Sequence, residues 1–202
     1  MEHRIHLSKD KKLKKIIELQ ETYVLVKGKN VYLHLCSSII SQQLSTKVAA
    51  VIYARFINLY KTKTPKPQQI IDTPFETLRS IGLSNAKANY VQNVCRFFID
   101  EKITDAKLHK MSNEELIKYL SKIKGVGQWT VEMILMFTLG REDVFALDDL
   151  GIQQSIAKLY SWNTTDKKEL REKMITVSNK WKPYRTYACR YLWGWKDNTP
   201  KA

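Results

Sequence analysis

Two adjacent carboxylates, Asp148 and Asp149, follow the apolar run Val144-Phe145-Ala146-Leu147 and precede a helix expected to start near Leu150. Acids at a helix start commonly cap it, and one cap is enough. A second carboxylate beside apolar residues in a strongly basic chain would repel a polyanion, so it needs a chemical reason. Stabilising a developing cation or activating water are two such reasons. Earlier lies Gly125-Val126-Gly127-Gln128-Trp129-Thr130. Two glycines around one apolar residue let the backbone take positive φ and come close to a ligand, while the first N–H groups of the next helix face an anion. Such a turn grips a phosphate without reading a base. A tight corner between helices with its valine packed inward fits the same residues; the flanking Lys122 and Lys124 and the net charge favour DNA.

That charge is large. The chain has 202 residues with 34 Lys and Arg against 20 Asp and Glu, a formal +14, which calls for a polyanionic partner. A 44% hydrophobic content with 7 Gly and 5 Pro excludes a disordered or low-complexity chain. Cys36, Cys95 and Cys189 are odd in number and far apart, which fits neither a disulfide framework nor a zinc site. His3, His6, His34 and His109 have no metal-binding context, so no metal is expected. The lysines at 9, 11, 12, 14 and 15 read as a solvated helix face. Residues 161–202 carry ten basic and four acidic side chains and could add phosphate contacts. No apolar run reaches membrane-spanning length and no signal peptide is visible, so the expected home is a reducing interior: cytoplasm or nucleoid in a prokaryote, nucleus in a eukaryote.

The elements that must position these residues are helices, because apolar residues recur at spacings of three and four. The spacing predicts a helix from a Ser8 cap to about Gln20, then about Val31 onward, and Ser45–Tyr60 with Val48, Val51, Ile52, Phe56 and Leu59 on one face. Further helices are expected from Pro74 to Ser80, Ser84 to about Asp100, Ser112 to about Ile123, Gln128 to about Leu139, Leu150 to Leu159, Asp166 to Ser178 and Pro183 to Trp193. Lys61–Pro67 reads as a linker. Only Tyr23-Val24-Leu25-Val26 suits a short strand. The expected class is all-α.

Hairpin, tryptophan, spacing and aspartate together resemble the helix-hairpin-helix superfamily of DNA glycosylases, and within it the 3-methyladenine DNA glycosylase II family. Ser38-Ile-Ile-Ser-Gln-Gln43-Leu-Ser-Thr-Lys47-Val-Ala-Ala50 is similar to that family's early segment, and Trp181-Lys-Pro-Tyr-Arg-Thr-Tyr-Ala188 to its late signature. The resemblance implies a two-lobed fold with an active-site cleft between lobes. One lobe would span about 35–140, with the helix-hairpin-helix at 113–139; the other would combine about 1–34 with 141–202. The extra N-terminal α/β domain of larger bacterial relatives is expected to be missing.

Residue by residue, the resemblance places Asp149 as the catalytic aspartate with Asp148 before it in support. Gln43 takes the place of the wedge that fills the gap left by a flipped base. Trp129, Met133 and Trp193 fall at base-pocket positions, and Gly125, Gly127, Lys122, Lys124 and Thr130 at the phosphate-binding hairpin. For Trp129 and Trp193, plain core packing is the alternative. Arg185 lies in the late signature and could brace Asp149 or another acid. Met133 replaces a pocket tyrosine, and Leu147 a proline, of the best-known bacterial members. Trp129 also stands where lyase-active relatives have a catalytic lysine, which implies a monofunctional enzyme. The resemblance implies no required cofactor and no iron–sulfur cluster, while leaving open a monovalent cation at the hairpin. The expected activity is a monomeric glycosylase that removes alkylated bases, of 3-methyladenine or 7-methylguanine type, from double-stranded DNA. The rivals are a same-fold glycosylase for another lesion such as hypoxanthine, and a non-enzymatic helix-hairpin-helix DNA-binding module.

Overall fold

The computed structural model describes residues 1–198, and no strand occurs among them. Met1–Val26 together with the chain from Gly140 onward form one compact unit, here the terminal unit; Lys27–Leu139 form the central unit. The terminal unit begins with α1 (Glu2–Leu7) and α2 (Lys11–Ile17). The Asp10 carboxylate caps α2 by accepting from the Lys12 and Leu13 N–H groups at 3.0 and 3.2 Å, whereas Ser8 terminates α1. The helix expected from Ser8 therefore starts at Lys11, because the stronger cap lies two residues later, and α1 is an additional helix that ends where it was expected to begin. Leu13, Ile16 and Ile17 face inward and the lysines at 11, 12, 14 and 15 face water.

The central unit contains α3 (Val31–Ser41), α4 (Thr46–Asn58), α5 (Pro67–Ile71), α6 (Phe75–Ser80), α7 (Asn85–Asp100), α8 (Asp105–Lys110), α9 (Asn113–Leu120) and α10 (Gln128–Phe137). Its axis is α3, whose Leu35, Cys36, Ile39 and Ile40 are fully buried among α4, α7 and α10. Asn30 precedes α3 in a left-handed conformation and gives it no side-chain cap; Asp105, the first residue of α8, accepts from the Asn30 and Val31 N–H groups at 2.7 and 3.1 Å instead. With Gly28 N–H bonded to the Thr138 carbonyl at 2.7 Å, these contacts anchor residues 27–34 in the central unit, not with the N-terminal helices as the sequence suggested. In α4 the buried face is Ala49, Ile52 and Phe56, while Val48 and Val51 are exposed, so the expected apolar face is rotated by part of a turn. Ser84 caps α7, and Ser112 with Glu115 closes a reciprocal capping box on α9.

The chain returns to the terminal unit through α11 (Leu150–Tyr160), α12 (Lys167–Asn179) and α13 (Arg185–Asn198). Here α13 packs on α11 and α2. Trp181 is buried, and its indole Nε1 donates to Asp10 at 3.1 Å; the Tyr160 hydroxyl donates to the same carboxylate. One aspartate thus satisfies the start of α2 and the polar ends of two large aromatics, which burial without partners would penalise. Tyr23–Val26 forms no strand: Val24 and Val26 point into solvent, and the Val24 carbonyl accepts from Arg190.

Candidate active site

The hairpin between α9 and α10 is built around two glycines with different reasons to be glycine. Gly125 has φ +102, and a Cβ there would stand 2.2 Å from Tyr90 Cγ and 2.7 Å from Tyr90 Cβ, so both conformation and packing exclude a side chain. Val126 is buried, as a tight corner requires. Gly127 has φ −93, which any residue adopts, and a Cβ there would meet nothing within 4 Å. Nothing inside the molecule demands glycine at 127. The demand fits a ligand approaching from outside, at the start of α10, where the first N–H groups lie beyond the reach of the helix's own carbonyls. Lys122 and Lys124 are exposed beside it. Thr130 is buried and its Oγ1 lies 3.5 Å from Gln42 Nε2, so its hydroxyl serves the fold and only its backbone remains for a phosphate.

Trp129, 41% exposed, and Met133 project from α10 into a concave pocket of about 500 Å³, which they share with Ser37, Ser38 and Ser41 of α3 and with Gln42, Gln43 and Leu44. The lining has one indole face, a thioether, hydroxyls and amides, and no formal charge. Plain core packing does not describe Trp129. Gln43 is exposed at the tip of the α3–α4 loop with φ +58, a left-handed conformation that strains a non-glycine residue. Two side chains hold that loop. Gln42 Nε2 reaches the Gly125 carbonyl at 3.4 Å, and Lys87 Nζ donates to the Ile40 and Gln42 carbonyls at 2.9 and 2.6 Å. Burial pushes the Lys87 ammonium below the usual lysine range.

In the terminal unit, Asp149 is the N-cap of α11. Its Oδ1 accepts from the Ile152 N–H at 2.8 Å and from Trp193 Nε1 at 2.9 Å. Two donors on one oxygen fix the plane of the carboxylate, and the positive end of the helix favours its charge. Asp148 is exposed and pairs with Arg171. Arg185 does not brace Asp149: its Nε and Nη2 grip the two oxygens of Asp143 at 2.6 and 2.9 Å, which fixes the loop leading to the aspartates. Among the described residues no group of three or more His, Cys, Asp or Glu could hold a metal, and no helix is long and apolar enough to cross a membrane.

Residues 36–180 match the model of the HhH-GPD superfamily of base excision DNA repair proteins. The chain belongs to the HhH-GPD superfamily. DNA-3-methyladenine glycosylase 1 of Schizosaccharomyces pombe is 35% identical over 195 residues, covering 94% of this HhH-GPD chain and 84% of the relative. YfjP of Bacillus subtilis is 34% identical over 194 residues, covering 93% of this chain and 66% of the longer relative. The solved structure of the S. pombe 3-methyladenine DNA glycosylase Mag1 in complex with abasic DNA superimposes with a TM-score of 0.88 at 32% identity, covering 100% of both chains.

Three residues of structural weight have no place among the expected ones: Gln42 and Lys87 in the central unit and Gly151 in the terminal unit. Gln42 and Lys87 carry no spacing signal, since their partners, carbonyls for Lys87 and the Gly125 carbonyl and Thr130 hydroxyl for Gln42, are distant in sequence. Gly151 did leave one: a glycine in the first turn of a regular helix, with no turn to explain it.

Proposed function

We propose that this protein is a monofunctional DNA glycosylase that flips alkylated bases out of duplex DNA and hydrolyses the N-glycosidic bond, leaving an abasic site for base excision repair. The observation that carries the proposal is the Asp149 carboxylate, held by two N–H donors at the start of α11 in a chain of this superfamily.

A base alkylated at N3 or N7 is already cationic and leaves without a general acid. The sugar becomes oxocarbenium-like, and a preorganised carboxylate at Asp149 stabilises that charge and orients or deprotonates the attacking water. The carboxylate and water suffice, so the reaction needs no cofactor, and a monovalent cation at the hairpin enters no step. Extruding the nucleotide costs a few kcal/mol, least for damaged bases. Gln43, already presented in a strained conformation, fills the gap. Trp129 offers a π face to the cationic base, on the order of 0.5–2 kcal/mol for a good contact, and Met133 closes the pocket with a polarisable thioether. Gly127 and the first N–H groups of α10, with Lys122 and Lys124 nearby, take the phosphate. The site at 129 holds an indole that cannot form a Schiff base, which supports hydrolysis without lyase chemistry.

The test is chromatographic release of free bases from methylated duplex DNA against release from hypoxanthine-containing DNA. Release of 3-methyladenine and 7-methylguanine in excess is expected; comparable or greater hypoxanthine release would overturn the alkyl-base assignment.

A further inference from the structure

Gly151 is the second residue of α11, where glycine stabilises a helix less than alanine does. Its φ is not left-handed, so no backbone turn requires it. The requirement comes from Trp193. A Cβ at 151 would lie 3.0 Å from Asp149 Oδ1 and 3.3 Å from both Cδ1 and Nε1 of Trp193. Those contacts include the acceptor and the donor nitrogen of the 2.9 Å bond between the two side chains, so an added methyl would stand in the angle between them. The indole has little room to yield. The neighbouring Gly194 is packed so closely that a Cβ there would come within 2.5 Å of the Tyr23 hydroxyl. Gln20, to which Tyr23 donates at 3.0 Å, is itself fastened to the Tyr191 and Ile16 carbonyls at 2.9 Å. The turn of α13 that carries Trp193 is thus fixed from behind, and Gly151 sets the distance in front.

We propose that Gly151 is a positioning residue for the catalytic carboxylate: by leaving space for the Trp193 indole at hydrogen-bond distance, it fixes the direction in which Asp149 faces. The proposal rests on the assignment of Asp149 as the catalytic group. It places the effect of residue 151 on the chemical step and routes it through residue 193, because a misdirected carboxylate weakens transition-state stabilisation without touching the DNA-binding hairpin.

The experiment is a double-mutant cycle on Gly151→Ala and Trp193→Phe, read by single-turnover base excision, by binding to abasic-site duplex and by melting temperature. Phenylalanine lacks the Nε1 donor and is smaller, so a methyl at position 151 has room in that background. Gly151→Ala alone is expected to slow excision on the order of ten- to a hundredfold with DNA binding within about twofold of wild type. In the Trp193→Phe background the same substitution is expected to cost no more than about twofold. Losses that multiply in the double variant, or a Gly151→Ala rate within about twofold of wild type, would overturn the positioning role. If Gly151→Ala melts below the assay temperature, the cycle is read as melting temperature: adding Trp193→Phe restores folding if the indole is what residue 151 must clear, and failure to restore it overturns the proposal. Asp149→Asn run alongside separates the two levels. An active Asp149→Asn refutes the catalytic assignment; an inactive one with independent effects at 151 and 193 refutes only the positioning role.

Discussion

The two hairpin glycines make opposite predictions, and Gly127→Ala is the informative one. Residue 127 is the N-cap of α10 with φ −93 and ψ 169, and its Cβ would meet open space. Alanine is a poorer N-cap than glycine, at up to about 1 kcal/mol, while its smaller unfolded-state entropy offsets about 0.4–1 kcal/mol. Net stability should therefore stay within about 1 kcal/mol of wild type, a shift of only about 2–4 °C. Binding should not stay. A methyl at the mouth of the helix N-terminus stands where a phosphate oxygen must approach, and losing one charge-assisted hydrogen bond costs about 1.5–3 kcal/mol, or about ten- to a hundredfold in Kd. Gly125→Ala is the contrast: positive φ costs about 1–2 kcal/mol and the overlap with Tyr90 about 1–3 kcal/mol more, so it should lose stability first. The assay is fluorescence anisotropy with an abasic-site duplex at fixed salt, paired with a thermal melt. If Gly127→Ala binds like wild type at an unchanged melting temperature, the external reason for glycine is refuted, and with it the hairpin as phosphate contact.

Three further outcomes follow from the geometry. Gln43→Gly relieves the left-handed strain and should raise stability by about 1 kcal/mol while slowing excision from paired lesions more than from unpaired ones; equal rates on both would remove the wedge role. Incubation with borohydride and substrate should trap no covalent complex, because residue 129 is not a lysine; a trapped species on gels would show lyase chemistry. Burial raises the Asp10 carboxyl, but donors from Tyr160, Leu13, Trp181 and Lys12 outweigh it and hold it below the usual aspartate value. That stabilisation is present above the unfolded pKa and lost as pH falls through the folded one, so the gap in melting temperature between wild type and Asp10→Asn should narrow below about pH 4. A gap that is constant with pH would contradict the assignment.

Long helices were legible because their signals are local. Ser84, Ser112 with Glu115, Asp149 and Asp166 sit where N-caps belong, and the runs behind them span several turns of apolar periodicity. The helices missed, α1, α5 and α8, have 6, 5 and 6 residues, too few for periodicity to register. The strand suggested at Tyr23–Val26 failed because a short apolar, β-branched run alone does not supply a partner ladder. Site residues divide in the same way. Asp149 and the hairpin stood out through type and spacing. The Trp193 bond to Asp149 spans 44 residues of sequence, and the grip of Lys87 on the Ile40 carbonyl spans 47, distances over which no pattern operates. Arg185 was visible as important, but its partner among nearby acids was decided by packing, which chose Asp143.

The catalytic role of Asp149 is tested by single-turnover release of 3-methyladenine from methylated duplex DNA by wild type and Asp149→Asn, with binding to abasic-site duplex measured on the same preparations. Wild type is expected to release the base and Asp149→Asn none, with binding intact or tighter, since the lost charge repelled phosphate. Retained turnover in Asp149→Asn would contradict that role.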